Sequence, residues 1–135
     1  MFGYAGKTLR VDLRKNKTKV ETITEEFTKR YIGGVGFVAR LLYDAIEPQL
    51  DPLGPKNVLV FATGPVSGTL VPCGYKGAFG AKSPLTGLIG ESCTTSFWPA
   101  ELKGAGYDAL LINGKAEKPT YLFVELVGSG INRNI

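Results

Sequence analysis

The residues best suited to chemistry lie in a stretch rich in glycine and hydroxyl side chains, between positions 63 and 97. Lys76 and Lys82 supply positive charge there, among small residues. A lysine combined with backbone N–H groups can hold a phosphate or another acidic group. The other interpretation makes both lysines solvated residues at strand edges, and the sequence leaves the two interpretations open.

Nucleophilic and metal chemistry is limited by what the chain lacks. It contains no histidine and two cysteines, Cys73 and Cys93. Ser–His and Cys–His pairs are therefore excluded, and two cysteines alone complete neither a zinc site nor an iron–sulfur cluster. Three interpretations of Cys93 stay open: a small buried thiol, a thiolate activated by a cation or a helix N-terminus, and a disulfide to Cys73. Glu91 and Asp108 are lone carboxylates, for which we expect surface or turn positions.

Two glycine motifs resemble nucleotide-binding sequences in the wrong context. Residues 34–39, GVGFVA, fit G-x-G-x-x-A but follow a helical stretch, whereas the dinucleotide fingerprint must follow a strand. Residues 77–83, GAFGAKS, carry Ala81 where a P-loop requires glycine. We therefore expect no nucleotide site at either motif, and we expect the first motif to be a turn between helices that needs positive φ.

The hydrophobic pattern predicts the elements that position these residues. Alternation over residues 8–13 and 18–23 predicts a β-hairpin with Asn16 in its turn, and Thr24 before two glutamates predicts a helix N-terminus. The remaining segments predict helices within 25–32, 36–46 and 97–107, strands at 58–62, 108–114 and 119–127, and bulged strands or loops over 64–87. Because strands and helices do not alternate regularly, the fold class is α+β, a mixed or antiparallel sheet platform with a few short helices.

Composition limits the cellular setting and the partners. The chain has 135 residues, which suits one domain, and a net charge of +4. The basic cluster at residues 14–19 is typical of a solvated turn, so we expect no nucleic-acid partner. There is no run of 18 apolar residues and no secretory leader pattern, so we expect no membrane span and a cytoplasmic protein.

Five collinear segments between about residue 2 and residue 124 resemble the N-terminal domain of the tungsten-containing aldehyde ferredoxin oxidoreductases. They are FGYAGKTLRVDL, YIGGVGFVARLLYD, DPLGPKNVLVFATGPVSGT, AKSPLTGLIGES and AELKGAGYDALLINGKAEKPTYLFV. The resemblance implies a cofactor-platform domain over residues 1–127, incomplete relative to the family, and a polar tail over residues 128–135. The tail departs from the family pattern.

The family resemblance also implies a cofactor and partners. In that family the N-terminal domain holds a tungsten bis-molybdopterin (tungstopterin), with magnesium linking the pterin phosphates. Later domains supply the cysteines of a [4Fe–4S] cluster, and the whole enzyme oxidises aldehydes and passes electrons to ferredoxin. The resemblance thus implies part of a tungsten or molybdenum oxidoreductase that is not catalytic alone, completed by later domains or by a second chain.

The resemblance points to five cofactor-binding positions: Lys76, Ser92, Cys93, Thr94 and Thr95. Lys76 stands where the family has an arginine, so the charge is kept and the planar fork is lost. Cys93 stands where the family has an asparagine; its thiol is a poor magnesium ligand, whereas its backbone carbonyl is suited to that contact. Thr95 replaces a glycine and adds a Cβ close to the pterin. No catalytic residue and no metal side-chain ligand is implied within the chain.

Two alternatives follow from these departures. In the first, Lys76 and the backbone of residues 92–96 face one concavity and hold part of the cofactor. In the second, the chain keeps the fold without the cofactor and serves as a non-catalytic homo-oligomerisation or protein-binding domain, since a cut family fold exposes apolar surface.

Overall fold

The computed structural model describes residues 2–125 and, for the backbone alone, residues 130–132. The elements in chain order are β1 (Lys7–Asp12), β2 (Lys17–Thr22), α1 (Glu25–Tyr31), α2 (Val35–Ala45), β3 (Val58–Thr63), β4 (Lys76–Lys82), β5 (Ile89–Thr95), α3 (Trp98–Gly104), β6 (Ala109–Asn113), β7 (Tyr121–Phe123) and β8 (Gly130–Asn132). The predicted α+β class is confirmed. The glycine-rich segment that sequence left as strands or loops contains the whole of β4.

A six-stranded mixed sheet has the order β2-β1-β6-β3-β4-β5. Strands β1 and β6 are parallel, and every other neighbouring pair in this sheet is antiparallel. The edge strands β2 and β5 begin and end the order, so each leaves one side unpaired within the sheet. A separate pair, β7 with β8, is antiparallel. The predicted boundary between residues 127 and 128 lies outside the described residues.

The predicted hairpin and its turn are confirmed. Strands β1 and β2 pair in the register that sets Lys7 opposite Thr22. Asn16 adopts φ 53°, a conformation that asparagine tolerates better than most residues. The side chain of Asp12 closes the turn by accepting a hydrogen bond from the backbone N–H of Lys15 at 2.9 Å.

Each face of the sheet carries its own hydrophobic core. On one face (the α2 face), the α2 residues Phe37, Val38 and Leu42 pack on alternate residues of the central strands, namely Val58, Val60, Ala62, Ala78, Ala109 and Leu111, with Ile23. On the other face (the α3 face), Leu102 of α3 and Tyr107 pack with Leu9 and Val11 of β1 and Leu110 of β6. Because consecutive strand residues point to opposite faces, β3 and β6 contribute to both cores, as central strands covered on both sides should.

The turn between α1 and α2 has the predicted positive φ. The Thr24 hydroxyl caps α1 by accepting from the backbone N–H of Phe27 at 3.2 Å. Gly33 has φ 151° and Gly34 has φ 52°, and α2 begins immediately after them. The GVGFVA motif therefore contributes only Gly34 to the turn, and its other residues form the first turns of α2. It follows helix α1 and not a strand, as predicted.

Candidate functional site

A small cleft lies where the N-terminus of α2 meets the start of β4 and the end of β5. Its volume is about 190 Å³, and its lining residues are Ile32, Gly33, Gly34, Val35, Gly64, Pro65, Lys76, Gly77, Ala78 and Cys93. Lys76 and Cys93, singled out by the sequence, thus line one concavity. Most of the other lining residues are small, so the backbone itself forms much of the surface.

The register of β4 and β5 explains why Lys76 and Cys93 meet. Lys76 pairs with Thr95, and Ala78 pairs with Cys93. Paired residues share a face of an antiparallel sheet, as do residues two apart on one strand. Lys76, Cys93 and Thr95 therefore lie on the α2 face, although Thr95 does not line the cleft.

The backbone of Cys93 is directed to the open edge of the sheet. The N–H of Ser83 donates to the carbonyl of Leu88 at 2.8 Å, and the N–H of Ser96 donates to the carbonyl of Tyr75 at 3.4 Å. Because directly bonded pairs alternate along an antiparallel ladder, these two bonds fix the pattern for the whole of β5. Ser92 and Thr94 bond to β4, whereas the N–H and C=O of Cys93 point away from it.

The other two candidates occupy the opposite face. Ser92 pairs with Phe79 and Thr94 pairs with Gly77, which puts both hydroxyl side chains on the α3 face. The Thr94 hydroxyl donates to the carbonyl of Thr95 at 3.1 Å. Of the five residues predicted for cofactor binding, the structure therefore brings together two side chains in the cleft and one beside it, and it separates Ser92 and Thr94 from them.

Two of the three interpretations of Cys93 are wrong. Cys73 and Cys93 are both free and exposed, so there is no disulfide between them and Cys93 is not a buried core thiol. The reason is the position of β5 at the sheet edge, which leaves its side chains exposed or half-buried. The Cys93 thiol donates to the Glu91 carboxylate, with 3.7 Å between Sγ and Oε2.

Lys82 is not a solvated strand-edge lysine. It is buried, and its ammonium donates to the carbonyls of Pro48 and Leu50 at 2.6 and 2.8 Å. These bonds tie the loop after α2 to the far end of β4. Lys82 lies outside the cleft that Lys76 lines, so the two lysines of the glycine-rich stretch have separate surroundings.

Asp108 was expected at a surface or turn position, and its side chain is fully buried. It accepts hydrogen bonds from the backbone N–H groups of Ala5 and Gly6, at 3.1 and 2.6 Å. Lys103 donates its ammonium to the same carboxylate at 2.6 Å and is 14% exposed. Sequence reasoning missed this group because Ala5 and Gly6 lie about a hundred residues from Asp108 along the chain.

Tyr4 joins the Asp108 group to the cleft. Its hydroxyl donates to the backbone carbonyl of Ile32, a lining residue, at 2.7 Å. Burial and, secondarily, the charge of Asp108 raise the pKa of Tyr4 above its usual value of 10.0. The Tyr4 phenol therefore keeps its proton, and remains a hydrogen-bond donor, to a higher pH than an ordinary tyrosine.

The cleft fits an anionic group that approaches from the open edge. Lys76 is exposed, and none of the ion pairs within residues 2–125 involves it. Its charge is thus free to meet a phosphate oxygen, and the Cys93 carbonyl at the open edge is a hard oxygen ligand. In the described part of the chain no three His, Cys, Asp or Glu side chains converge as a metal site, and no helix could cross a membrane.

Comparison with known proteins identifies the family. The family model described as "Aldehyde ferredoxin oxidoreductase, N-terminal domain" matches residues 8–132. The tungsten-containing aldehyde ferredoxin oxidoreductases of Pyrococcus abyssi and Pyrococcus horikoshii are 47% and 45% identical to the chain, each over 92% of it. The chain covers 20% of the length of each relative.

A solved structure gives the same result for the fold. It is the active site complex BamBC of benzoyl coenzyme A reductase, bound to 1,5-dienoyl-CoA. Its TM-score to this chain is 0.92 with 33% sequence identity, and the match covers 96% of this chain and 20% of that one. The chain therefore belongs to the aldehyde ferredoxin oxidoreductase family, in which it is the N-terminal domain.

Proposed function

We propose that this domain is part of the platform for a tungsten-pterin cofactor in a larger oxidoreductase. The observation that carries the proposal is the cleft that Lys76 and Cys93 both line, at the open edge of the sheet. A cation, small residues and an open sheet edge suit the phosphate-bearing rim of a pterin. The tungsten-containing relatives support the choice of metal.

The proposed contacts differ among the five predicted residues. Lys76 donates to the anionic part of the cofactor as a point charge, without the two-pronged geometry of an arginine. The Cys93 carbonyl would be a ligand for a magnesium ion bound with the cofactor, because Mg²⁺ prefers oxygen ligands. Thr95 bounds the site on the same face, whereas Ser92 and Thr94 contribute through their position in the strand and not through their hydroxyls.

The remaining functions belong to the larger assembly. The iron–sulfur cluster and the substrate pocket come from later domains or a second chain, and ferredoxin accepts the electrons from aldehyde oxidation. When bound, the cofactor supplies the redox chemistry. The residues of this chain bind and orient it. We propose a cytoplasmic setting for that assembly and no turnover by this domain alone.

The test measures cofactor retention in protein purified without oxygen. Tungsten and molybdenum are quantified by mass spectrometry and the pterin by its fluorescence after oxidation. A charge-assisted hydrogen bond is worth about 1.5–3 kcal/mol, so Lys76→Ala should lower cofactor affinity by about tenfold or more. Lys76→Arg should retain the cofactor, and Lys56→Ala, at an exposed lysine outside the cleft, should behave as wild type. Equal retention by all variants would remove Lys76 from the site.

A second candidate function is favoured by a separate surface. An apolar groove of about 770 Å³ lies between the C-terminal end of α2 and the tip of the β4–β5 hairpin. Leu88 borders it and is 72% exposed. A contiguous exposed apolar surface is typical of a protein–protein contact, which suits a homo-oligomerisation or protein-binding domain. Metal-free and pterin-free protein that forms one ordered oligomer by light scattering would support this alternative.

A further inference from the structure

We propose that Tyr4 is a positioning residue for the cleft, because its hydroxyl holds a strained turn at Ile32 that forms one wall. The proposal rests on the proposed cofactor-platform function, since it assigns this turn the task of presenting the start of α2 to the bound group. Three observations support the proposal. The turn at Ile32 has an unfavourable conformation, the Tyr4 hydroxyl bonds to that turn, and buried Asp108 holds the segment that carries Tyr4.

The turn at Ile32 is a γ-turn of the rare positive-φ form. Ile32 has φ 61° and ψ −58°, and the N–H of Gly33 donates to the carbonyl of Tyr31 at 2.6 Å across it. This conformation is strained for any residue with a Cβ and more so for a β-branched one. The side chain of Ile32 is 63% exposed, so core packing does not account for the conformation. Strain of this kind persists only where neighbouring groups enforce it.

Tyr4 is one group that enforces the turn. Its hydroxyl donates to the carbonyl of Ile32 at 2.7 Å, which fixes the plane of the peptide that follows the strained residue. The ring is itself held in place by stacking on Phe37, with 6.2 Å between ring centroids and 23° between planes. Phe37 belongs to α2 and is fully buried. The stacking therefore fixes the position of the Tyr4 ring relative to the helix whose start it helps to position.

A buried anchor holds the segment that carries Tyr4. The carboxylate of Asp108 accepts from the backbone N–H groups of the next two residues, Ala5 and Gly6. Lys103 donates to Asp108 at 2.6 Å and to the carbonyl of Gly3 at 2.9 Å, on the other side of Tyr4. Its ammonium also lies 5.4 Å from the centroid of the Tyr4 ring. The N-terminal segment is therefore fixed on both sides of the tyrosine.

The same anchor supports the cleft by a second route. The backbone carbonyl of Asp108 accepts from the N–H of Thr63 at 2.9 Å, and the carbonyl of Thr63 accepts from the N–H of Gly34 at 2.9 Å. Gly34 and Ile32 both line the cleft. The wall is thus tied to Asp108 from both sides of Gly33, which sets the geometry of the wall before a ligand arrives.

The test compares Tyr4→Phe with Tyr43→Phe in the 135-residue chain. The first substitution keeps the ring and removes the hydroxyl that bonds to Ile32, and the second changes an exposed tyrosine at the far end of α2. Loss of one neutral hydrogen bond should raise amide exchange at Gly33 and Gly34 about fivefold in Tyr4→Phe. Exchange in β6 reports global unfolding, which breaks the same hydrogen bond, so it should rise by no more than the same factor. Tyr43→Phe should match wild type at all of these amides.

Unchanged exchange at Gly33 and Gly34 would overturn the proposal. A second measurement concerns the ligand, since Tyr4→Phe should also lower pterin and tungsten retention relative to Tyr43→Phe. Faster exchange with full retention would show that the turn does not position the cofactor. If wild-type protein retains neither tungsten nor pterin, the proposed function fails, whereas the exchange result still decides whether Tyr4 holds the turn.

Discussion

Asp108 illustrates how one side chain can connect distant parts of this chain. Its buried carboxylate is paired with Lys103 and bonded to two backbone N–H groups. Asp108→Asn removes the negative charge and leaves the Lys103 ammonium with one carbonyl partner, at Gly3. Removing one member of a buried ion pair typically costs about 3–5 kcal/mol, and the remaining carbonyl bond favours the lower end. We expect urea denaturation to show a loss of about 3 kcal/mol.

The control for Asp108 is Glu91→Gln. Glu91 is an exposed carboxylate with no lysine or arginine partner in the described chain, so the same chemical change should alter stability by less than about 0.5 kcal/mol. A small effect of Asp108→Asn, similar to that of Glu91→Gln, would show that the Asp108–Lys103 pair contributes little net stability.

Glu21 gives a prediction with a defined pH dependence. The hydrogen bond from Arg10, at 2.6 Å, holds the pKa of Glu21 below its usual value of 4.5, and Lys19 adds to the effect. Because the folded-state pKa is the lower one, the stabilisation is present above pH 4.5 and is lost as pH falls through the folded-state pKa. Both side chains are about one-third exposed, so the contribution should stay below about 1 kcal/mol.

The measurement is the thermal midpoint of wild type and Glu21→Gln between pH 3 and pH 7. Wild type should lose more stability than the variant below pH 4.5, and the two curves should run parallel above it. High salt should reduce the difference, since the pair is partly exposed. Parallel curves across the whole range would mean that Arg10 gives Glu21 no net stabilisation.

Residue types and the family resemblance suggested which residues could bind a ligand, but not where their side chains point. Lys76 and Cys93 were candidates from charge, thiol chemistry and the family resemblance, and they do share a cleft. The split between Cys93 and its neighbours Ser92 and Thr94 depends on strand register, which moves a side chain to the other face with each residue. This register belongs to the pairing of β4 with β5 and cannot be read from the sequence of one segment.

Strand β4 shows why the middle of the chain is rich in glycine. A Cβ at Gly77 would lie 2.3 Å from the Trp98 ring on the α3 face, and one at Gly80 would lie 2.8 Å from Val38 on the α2 face. Glycine at these two positions therefore lets both helices approach the strand closely. Trp98 also meets Phe61 edge to face, with 5.8 Å between ring centroids.

Gly77→Ala should consequently be destabilising, while Gly104→Ala should not. The added methyl at Gly77 must displace an aromatic ring, and such overpacking typically costs about 1–3 kcal/mol. Gly104 ends α3, and a Cβ there meets nothing within 4 Å, so alanine should be neutral or stabilise by up to about 1 kcal/mol. Chemical denaturation of the two variants tests the pair. Equal stability would show that Trp98 can move at little cost.

Strand β5 permits a sharper test of its inferred hydrogen-bond pattern. Proline removes a backbone N–H, which matters only where that group is bonded. At Glu91 the N–H points to the open edge, so Glu91→Pro should cost less than about 1 kcal/mol. At Ser92 the N–H bonds to β4, so Ser92→Pro should cost about 1–3 kcal/mol more. The reverse order of stabilities, measured by urea denaturation, would shift the ladder by one residue and turn the Cys93 carbonyl inward.

At the level of elements, local rules were most informative where the pattern was regular. Alternation predicted the hairpin, and the Thr24 cap predicted the start of α1. Of the predicted strand over residues 119–127, the structure shows β7, which ends at Phe123, and residues 126 and 127 lie outside the described residues. The bounds of β4 could not be predicted because its glycines report tertiary contacts with two helices and not a local preference.

For the whole molecule, helix α2 organises two different surfaces. Its N-terminal end borders the small cleft of Lys76 and Cys93, and its C-terminal end borders the larger apolar groove beside Leu88. Sequence comparison predicted the family and the fold, yet neither surface is visible in a linear pattern, because each combines α2 with the β4–β5 hairpin. The two surfaces should therefore respond to different substitutions.

The apolar groove leads to a prediction about association of the 135-residue chain. The groove is open to solvent, and Leu88 at its border is 72% exposed. Exposed apolar surface favours self-association, so light scattering should detect oligomers that dissociate on dilution. Leu88→Lys places a charge in the groove and should shift the protein towards monomer. Leu53→Lys, at a leucine that is 82% exposed and outside the groove, should not. If both substitutions reduce association equally, association depends on exposed apolar side chains in general and not on the groove. If neither does, the groove is not the contact surface.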